Sequence, residues 1–319
     1  MNFSISKRIG LLAFAAFAMA PAAAWAEYPE KPVQIIVPYG AGDAIDGTAR
    51  VIAKLLQEHF KSPFIVRNVA GAGGGVGTAE AAKAPADGYT LLVASTGALT
   101  ARPIMADAGY ETDDFVPLAE LVETPIAVAV AADSPLTSIS DLVTAAKDGE
   151  VTFSTPGPGS SQHVSMSDFV DQQGIELTHI SGDGGKGAVT KALSGEVDFS
   201  FVGAPVYKSL AQAGQLKVIG VAADEELDYL PGAETFKEQG FDFTSSVWFG
   251  LVVKKGTPND VIASLDGALK EIAASDELAE LYEKFSYNDA FKDSAGFAEV
   301  IDASVAQNKK VLGELGLAK

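Results

Sequence analysis

The 319-residue chain has no cysteine at all. That excludes a disulfide framework and any thiolate metal site. Arginine is nearly as scarce: besides Arg8 there are Arg50, Arg67 and Arg102. Bidentate guanidinium clamps are therefore not the main device for holding an anion. There are three histidines, His59, His163 and His179, with no close pair in sequence, so metal ligation has little to work with. Positive charge is also short, 23 Lys and Arg against 42 Asp and Glu, a net −19. Such a surface repels a phosphate backbone, so no nucleic-acid partner is expected. Beyond the first 26 residues no uninterrupted apolar run reaches the ~18 residues of a spanning helix, and no low-complexity segment or short-period repeat appears.

What is present begins at the N-terminus. Lys7 and Arg8 precede the apolar run Ile9 to Ala20, which leads to Ala24-Trp25-Ala26. A positive region, a short apolar region and an A-x-A site predict a secretory signal peptide, cut after Ala26. Pro21 and the shortness of the run speak against a membrane anchor, no cysteine follows to carry a lipid, and Lys7-Arg8 is not a twin-arginine pair. Removal takes away two cations and no acid, moving the net charge from −19 to −21 over 293 residues. The expected product is a monomer exported to a periplasm, without a direct membrane anchor. Its length suits two domains, and 47% hydrophobic content is ample for their cores.

Strand and helix signals alternate through most of the chain. "VQIIVPY", "PFIVRNV" and "YTLLVAS" read as buried strands, separated by the helical "IDGTARVIAKLLQEHF" and "GVGTAEAAKA". Continuous apolar strands between helices predict an α/β fold with mostly parallel sheets. A long strand, "TPIAVAVAADS", leads to "SISDLVTAAKDG", a helix capped by Ser138 or Ser140. A second α/β cycle starts at "VTFSTPGPGSSQH" and ends at the strand "SSVWFGLVVKKGTP"; the last ~60 residues read as helices. Strands near 125–131 and 247–254 would join two lobes around a cleft: 27–124 with 251–319, and 125–250. Ligands of such sheets bind beyond the carboxyl ends of the strands, where glycine turns meet helix N-termini.

Four glycine- or serine-rich turns are candidates. "VPYGAGDAIDGTAR", Val37 to Arg50, runs from a strand into a helix with its backbone bare and with acidic company. "NVAGAGGGVGTAEAA", Asn68 to Ala82, is either a flexible connection or a close approach to a ligand or the facing lobe. In "PGPGSSQH", Pro156 to His163, Ser160 or Ser161 caps a helix, donates to a ligand, or both. "SGDGGKGAV" contains Gly182, Gly184 and Gly187 in G-x-G-x-x-G spacing after a strand and before a helix. Its mid-chain position and an exported setting disfavour a dinucleotide; exposure of backbone N–H groups to another anion fits better. The Walker pattern fails, since Ile180 stands where its first glycine belongs and Gly187 where Ser or Thr should follow Lys186. No G-x-S-x-G occurs. A hydrolase would have to use Ser160 with His163 or His179, for instance as Ser160–His179–Asp183. His179 reads more simply as a packed strand residue, and His59 as a surface one. No cofactor is implied.

Taken together, "YPEKPVQIIVPYGAGDAIDGTAR", "GAGGGVGTAEAAKAPADGYTLLVAS" and "LKVIGVAADEELDYLPGAETFKEQGFDF…WFGLVVKKGTP" resemble the solute-binding receptors of tripartite tricarboxylate transporters, the Bug family. The resemblance covers essentially the whole exported chain. It implies a type II-like periplasmic binding protein, two α/β lobes closing like a flytrap on a small organic acid, without catalysis. The acid would be delivered to a membrane permease with one large and one small subunit. The first carboxylate-binding loop would be Tyr39 to Asp46, including Gly42, Asp43 and Ala44, with Tyr39 as an aromatic wall. Ser95 and Thr96 match the polar turn after the third strand, and Ser160, Ser161 and His163 a G-S-x-x-H segment. Gly182, Asp183 and Gly184 match the second-lobe loop in its D-G-G form, and Asp198 a V-D motif or a structural turn residue. Three positions depart from the family: Asp43 stands for a second glycine, Ile45 for a frequent Thr or Ser, and Arg102 for a common Asn. An acid in an anion-binding turn must point away, be protonated, or meet a cation. The expectation is a polycarboxylate ligand with Asp43 turned outward. A sensor subunit presenting its liganded form to a signalling partner remains the other receptor reading.

Overall fold

The computed structural model of the chain describes residues 28–42, 44–182, 184–287 and 290–319. The expected signal peptide and its cleavage site, together with Asp43 and Asp183, lie outside the described residues. The first α/β cycle places β1 (Val33–Val37), α1 (Ala44–Phe60), β2 (Phe64–Asn68), α2 (Gly75–Lys83), β3 (Thr90–Ser95) and the short α3 (Arg102–Met105) in succession. β4 (Phe115–Ala131) then crosses to a second cycle of α4 (Ile139–Asp148), β5 (Thr152–Thr155), α5 (Ser161–Gln173), β6 (Thr178–Ser181) and α6 (Gly185–Leu193). This cycle ends with β7 (Phe199–Gly203), α7 (Lys208–Gln212) and β8 (Leu216–Val221). β9 (Ser246–Lys254) returns the chain to α8 (Asn259–Ala273), α9 (Asp276–Phe285) and α10 (Ser294–Glu314).

Two lobes result, built on one strand plan. The first sheet runs β2-β1-β3-β9-β4, with β1, β2 and β3 parallel and β9 antiparallel to both β3 and β4. The second runs β6-β5-β7-β4-β8, with β5, β6 and β7 parallel and β4 antiparallel to β7 and β8. β4 thus closes one sheet with its first half and enters the other with its second. No sequence repeat announces this duplication of topology, because backbone pairing defines it.

Neighbouring residues of each central strand enter opposite cores. Ile35 and Leu91 pack with Ile52, Leu56, Leu265 and Leu269, while Ile36 and Leu92 face Phe297 and Ile301 of α10. In the second lobe Val128 and Phe153 meet Phe169 and Phe236, and Ala127 and Ala129 meet Ala188 and Leu230. Burial on both faces is why these strands read as unbroken apolar runs. α8 and α9 pack on the first lobe, as expected of the C-terminal helices. α10 goes further: Val311 and Leu312 join Val164 of α5, and Lys310 Nζ lies 3.3 Å from Asp168 of α5. It straps the lobes together. No helix among the described residues is long and apolar enough to cross a membrane.

The sequence reading started the crossing strand near Thr124, whereas β4 begins at Phe115 and runs for 17 residues. Pro117, Glu120 and Glu123 hide its first half. The register with β9 shifts between Pro117 and Ala119 and again between Glu120 and Val122, which accommodates the proline and turns Glu120 inward. Glu120 is fully buried, with Oε2 accepting from Lys292 Nζ at 2.7 Å. Its Oε1 has no hydrogen-bond partner among the described residues. Lys292 also lies 3.5 Å from Glu123, whose other oxygen accepts from Ser246 Oγ at 2.6 Å. Burial lifts the Glu120 carboxyl to about 7, against the pull of Lys292.

A buried acid with a raised pKa favours folding while neutral and loses that advantage as pH rises from 4.5, its ordinary value, through about 7. Glu120→Gln keeps the neutral shape and lacks the titration. Urea denaturation across this window should show the difference in stability moving toward the glutamine variant, by on the order of 3 kcal/mol. A pH-independent difference would mean that Glu120 stays ionised throughout.

Candidate functional site

The carboxyl ends of β1 and β3 carry the first-lobe wall. Tyr39, two residues past β1, shares a 2.5 Å hydrogen bond between its phenol and Ser95 Oγ at the end of β3. Its ring stands edge-on to Phe249, centroids 6.4 Å apart. Thr96 Oγ1 accepts from Trp248 N at 2.9 Å, tying the end of β3 to β9. Ser95 and Thr96 are both buried.

Asp46 plays a different part from the one the loop suggested. It is buried, and its Oδ2 accepts from Gly42 N at 2.9 Å and from Arg50 Nε at 3.0 Å. Its Oδ1 accepts from Asn68 Nδ2 at 2.9 Å. The carboxylate therefore holds the first turn closed against α1 and β2 rather than facing the cleft. Arg50 beside it, with the Gly42 N–H and the Asn68 amide, keeps its pKa down at about 2 in spite of burial. Ala44 opens α1, a 17-residue helix, so the positive end of its dipole lies at this turn. The glycine segment after β2 is a packing device, not a flexible connection. A Cβ at Gly77 would stand 2.7 Å from Val69 O and 2.8 Å from Pro38 Cα, so only glycine lets α2 lie this close to the first loop.

The second-lobe wall is built at the carboxyl ends of β5 and β6. Ser160 caps α5, accepting from His163 N at 3.2 Å, and lies 3.2 Å from Thr155 Oγ1. Thr155 Oγ1 is also 2.8 Å from His179 Nε2. The His163 and His179 rings stack at 4.0 Å, and His163 Nδ1 accepts from Gly159 N at 3.0 Å. Burial, helped by His179, pulls the His163 pKa down to about 4, so it is neutral at pH 7. No imidazole bonds Ser160 directly: Thr155 stands between it and His179, and the His163 acceptor nitrogen is occupied by Gly159. This is not a nucleophile–base pair.

Ser161, half-buried at the start of α5, bonds Gln162 Oε1 at 3.2 Å, and a Cβ on Gly97 of the first lobe would lie 3.9 Å from Ser161 N. The two walls therefore face each other. The G-x-G-x-x-G turn has an internal explanation. Gly182 N donates to Thr155 O and Gly184 N to Pro156 O, both at 2.9 Å, so neither amide is left for an anion. A Cβ at Gly187 would stand 1.8 Å from Gly182 O. Asp198 is not brought to the site. Its carboxylate accepts from Thr152 N at 2.8 Å and Thr152 Oγ1 at 2.7 Å, at the amino ends of β5 and β7, the opposite edge of the sheet. It is the structural turn residue.

Sequence reasoning passed over Asn68 and Thr155, each the last residue of a parallel strand. A polar residue closing such a strand was the available signal, since it lands on the ligand edge of an α/β sheet. It also passed over a cavity of about 790 Å³ on the α10 side. That cavity touches Thr96, Ser161 and the crossing strands at Glu123, Pro125 and Ser246, and is lined further by Ser165, segment 222–229, Trp248, Tyr287 and α10. Among the described residues no group of three or more His, Asp or Glu could hold a metal ion.

A model of the family described as tripartite tricarboxylate transporter family receptor matches residues 48–317. The protein BugT of Bordetella pertussis is 31% identical over 261 residues, which cover 80% of this chain and 80% of BugT. Among solved structures, a TctC solute-binding protein from Polaromonas, without ligand, superposes with a TM-score of 0.77 at 28% identity, covering 90% of this chain and 99% of that one. An R. palustris protein solved with adipate gives 0.80 at 25% identity, covering 92% and 99%.

The Asp46 geometry yields a direct test. Asp46→Asn turns one acceptor into a donor facing the donors of Gly42, Arg50 or Asn68. At neutral pH the variant should lose ~1–3 kcal/mol in urea denaturation. Because the folded-state pKa is depressed, this contribution is present above 3.8 and lost as pH falls toward about 2, so wild type and variant should converge there. A gap that persists undiminished in acid would rule out an ionised Asp46 as its source.

Proposed function

The chain belongs to the tripartite tricarboxylate transporter receptor family of periplasmic solute-binding receptors, and from that premise we propose that it captures a small organic acid between its lobes and delivers it to a membrane permease. The observation that carries the reading is the approach of the first-lobe wall to the start of α5. The turn after β3, at Gly97, meets Ser161 across the gap, next to the Tyr39–Ser95 pair and the turn that opens α1. Helix N-termini and hydroxyls suit a carboxylate without requiring a counter-charge on the protein. Adipate in the R. palustris structure supports that ligand class.

In this reading the ligand meets Tyr39, Gly42, Ala44, Ser95, Thr96, Ser160, Ser161 and His163, with Asp46, Gly182 and Gly184 shaping the loops. His163, neutral and stacked on His179, supplies a rigid wall and adds no charge that would trap the acid. The lobes are 27–124 with 251–319, and 125–250, supported by separate cores that meet along β4 and β9. Residues 1–26 direct export, and the acid leaves through a permease with one large and one small subunit. Closure is driven by ligand contacts available only when both walls are engaged.

The hydrolase alternative has no geometric support at Ser160. Delivery to a permease is favoured over a sensor by the family itself. A thermal-shift screen of di- and tricarboxylates, with each acid assayed afterwards by chromatography, tests the proposal. A ligand at ~100 times its dissociation constant should stabilise by about 2.7 kcal/mol, several degrees in melting temperature. The acid should be recovered unchanged. Failure of every carboxylate to shift the transition would sink the ligand class, and consumption of the acid would sink the receptor role. Small-angle scattering with a confirmed ligand should show a smaller radius of gyration; an unchanged profile at saturation would reject closure.

A further inference from the structure

Among the described residues the arginines divide unevenly. Arg50 pairs with Asp46, and Arg67 with Glu80. Arg102 is half-buried, yet its guanidinium has no carboxylate and no hydrogen-bond acceptor among the described residues. Its nitrogens are not among the buried unpartnered atoms, so the group meets solvent and is open to an incoming anion. The surroundings make room for it. A Cβ at Gly75 would stand 2.2 Å from Arg102 Nε and 3.0 Å from Cζ, so the side chain lies flat on the glycine backbone at the start of α2. The adjacent Gly74 would place a Cβ 3.1 Å from the Tyr39 hydroxyl, which puts Arg102 next to the Tyr39–Ser95 wall. Tyr110, whose phenol burial pushes up to about 12, feels the Arg102 charge pulling the other way.

Position along α3 supplies the other side. Met105 is one turn from Arg102, on the same face. A Cβ on Gly159 would stand 2.0 Å from the Met105 sulfur, so this face meets the second-lobe loop that leads into α5. The arginine therefore stands at the rim where the first-lobe wall and that loop converge, beside the helix starts rather than between them.

We infer that Arg102 receives a second anionic group of the ligand and selects dicarboxylates over monocarboxylates, an inference that rests on the carboxylate-receptor reading above. One carboxylate meets the helix starts; the far one meets the planar fork of Arg102, whose paired N–H groups match a carboxylate edge. Lysine would supply charge without the fork.

The test uses the full exported protein, its Arg102→Asn and Arg102→Lys variants, and calorimetry at low salt. The probes are the straight-chain diacids from succinate to suberate, each with the mono-acid of equal length. In Arg102→Asn the dissociation constant for the best diacid should rise about ten- to 100-fold, while that for its mono-acid stays level. Arg102→Lys should recover part of the loss, and the unliganded variants should melt with wild type. Equal diacid binding by wild type and Arg102→Asn would overturn the inference and leave the receptor reading intact. Equal loss for diacid and mono-acid would also overturn it, marking Arg102 as a structural prop. Wild-type protein that binds no acid of either series would overturn this inference, and the receptor reading would fall with it only if the wider carboxylate screen also failed.

Discussion

The antiparallel pairing of β4 with β9 is the constraint on which the rest of the molecule depends. The pair runs from Phe115↔Lys254 to Pro125↔Ser246, and β4 then continues into the second sheet. Because these are the strands that cross between the lobes, they fix which edges of the two sheets face each other. The carboxyl ends of β1 and β3 are turned toward those of β5 and β6. The turn after β3, at Gly97, is thereby brought to the start of α5 at Ser161. Glu120 and Lys292 sit at the irregular part of this pairing, so its least regular stretch also carries its buried charge.

Most polar groups at the site hold the walls in shape. Asp46, Asn68 and Arg50 close the first loop; Thr155, Ser160 and the two stacked histidines close the second. A receptor must release what it binds, so rigid walls with few charges serve it better than a dense clamp. Rigidity limits the ordering cost of binding, and a low charge count limits the affinity. α10, reaching from Phe297 in the first lobe to Val311 against α5, would restrict the proposed closure to motions that preserve that contact.

Where the sequence was legible, local chemistry and structure agreed. Runs such as VQIIV and TLLVAS became strands because both faces are buried, and Ser138 and Ser160 became helix caps. Several candidate residues are engaged within the fold, and for a shared reason. Asp46, Asp198 and the amides of Gly182 and Gly184 all belong to residue types suited to an anion site, and each bonds a neighbour distant in sequence. Asp198 binds Thr152, and Gly184 binds Pro156 O. The first half of β4 was missed because Pro117 and two glutamates are poor strand residues in isolation; register shifts against β9 make room for them.

The sequence by itself determined the α/β class, the two cycles, the glycine turns at the strand ends and the family. Each of these depends on periodicity, turn chemistry or motif, which act over a few residues. Only the tertiary structure decided which polar groups face the cleft and which bind their own loops. It also decided that Glu120 is buried beside Lys292, and that Arg102 lies on Gly75 without a described partner. Partners far apart in the chain are set by how the sheets cross, and burial then sets the charge state of what they enclose.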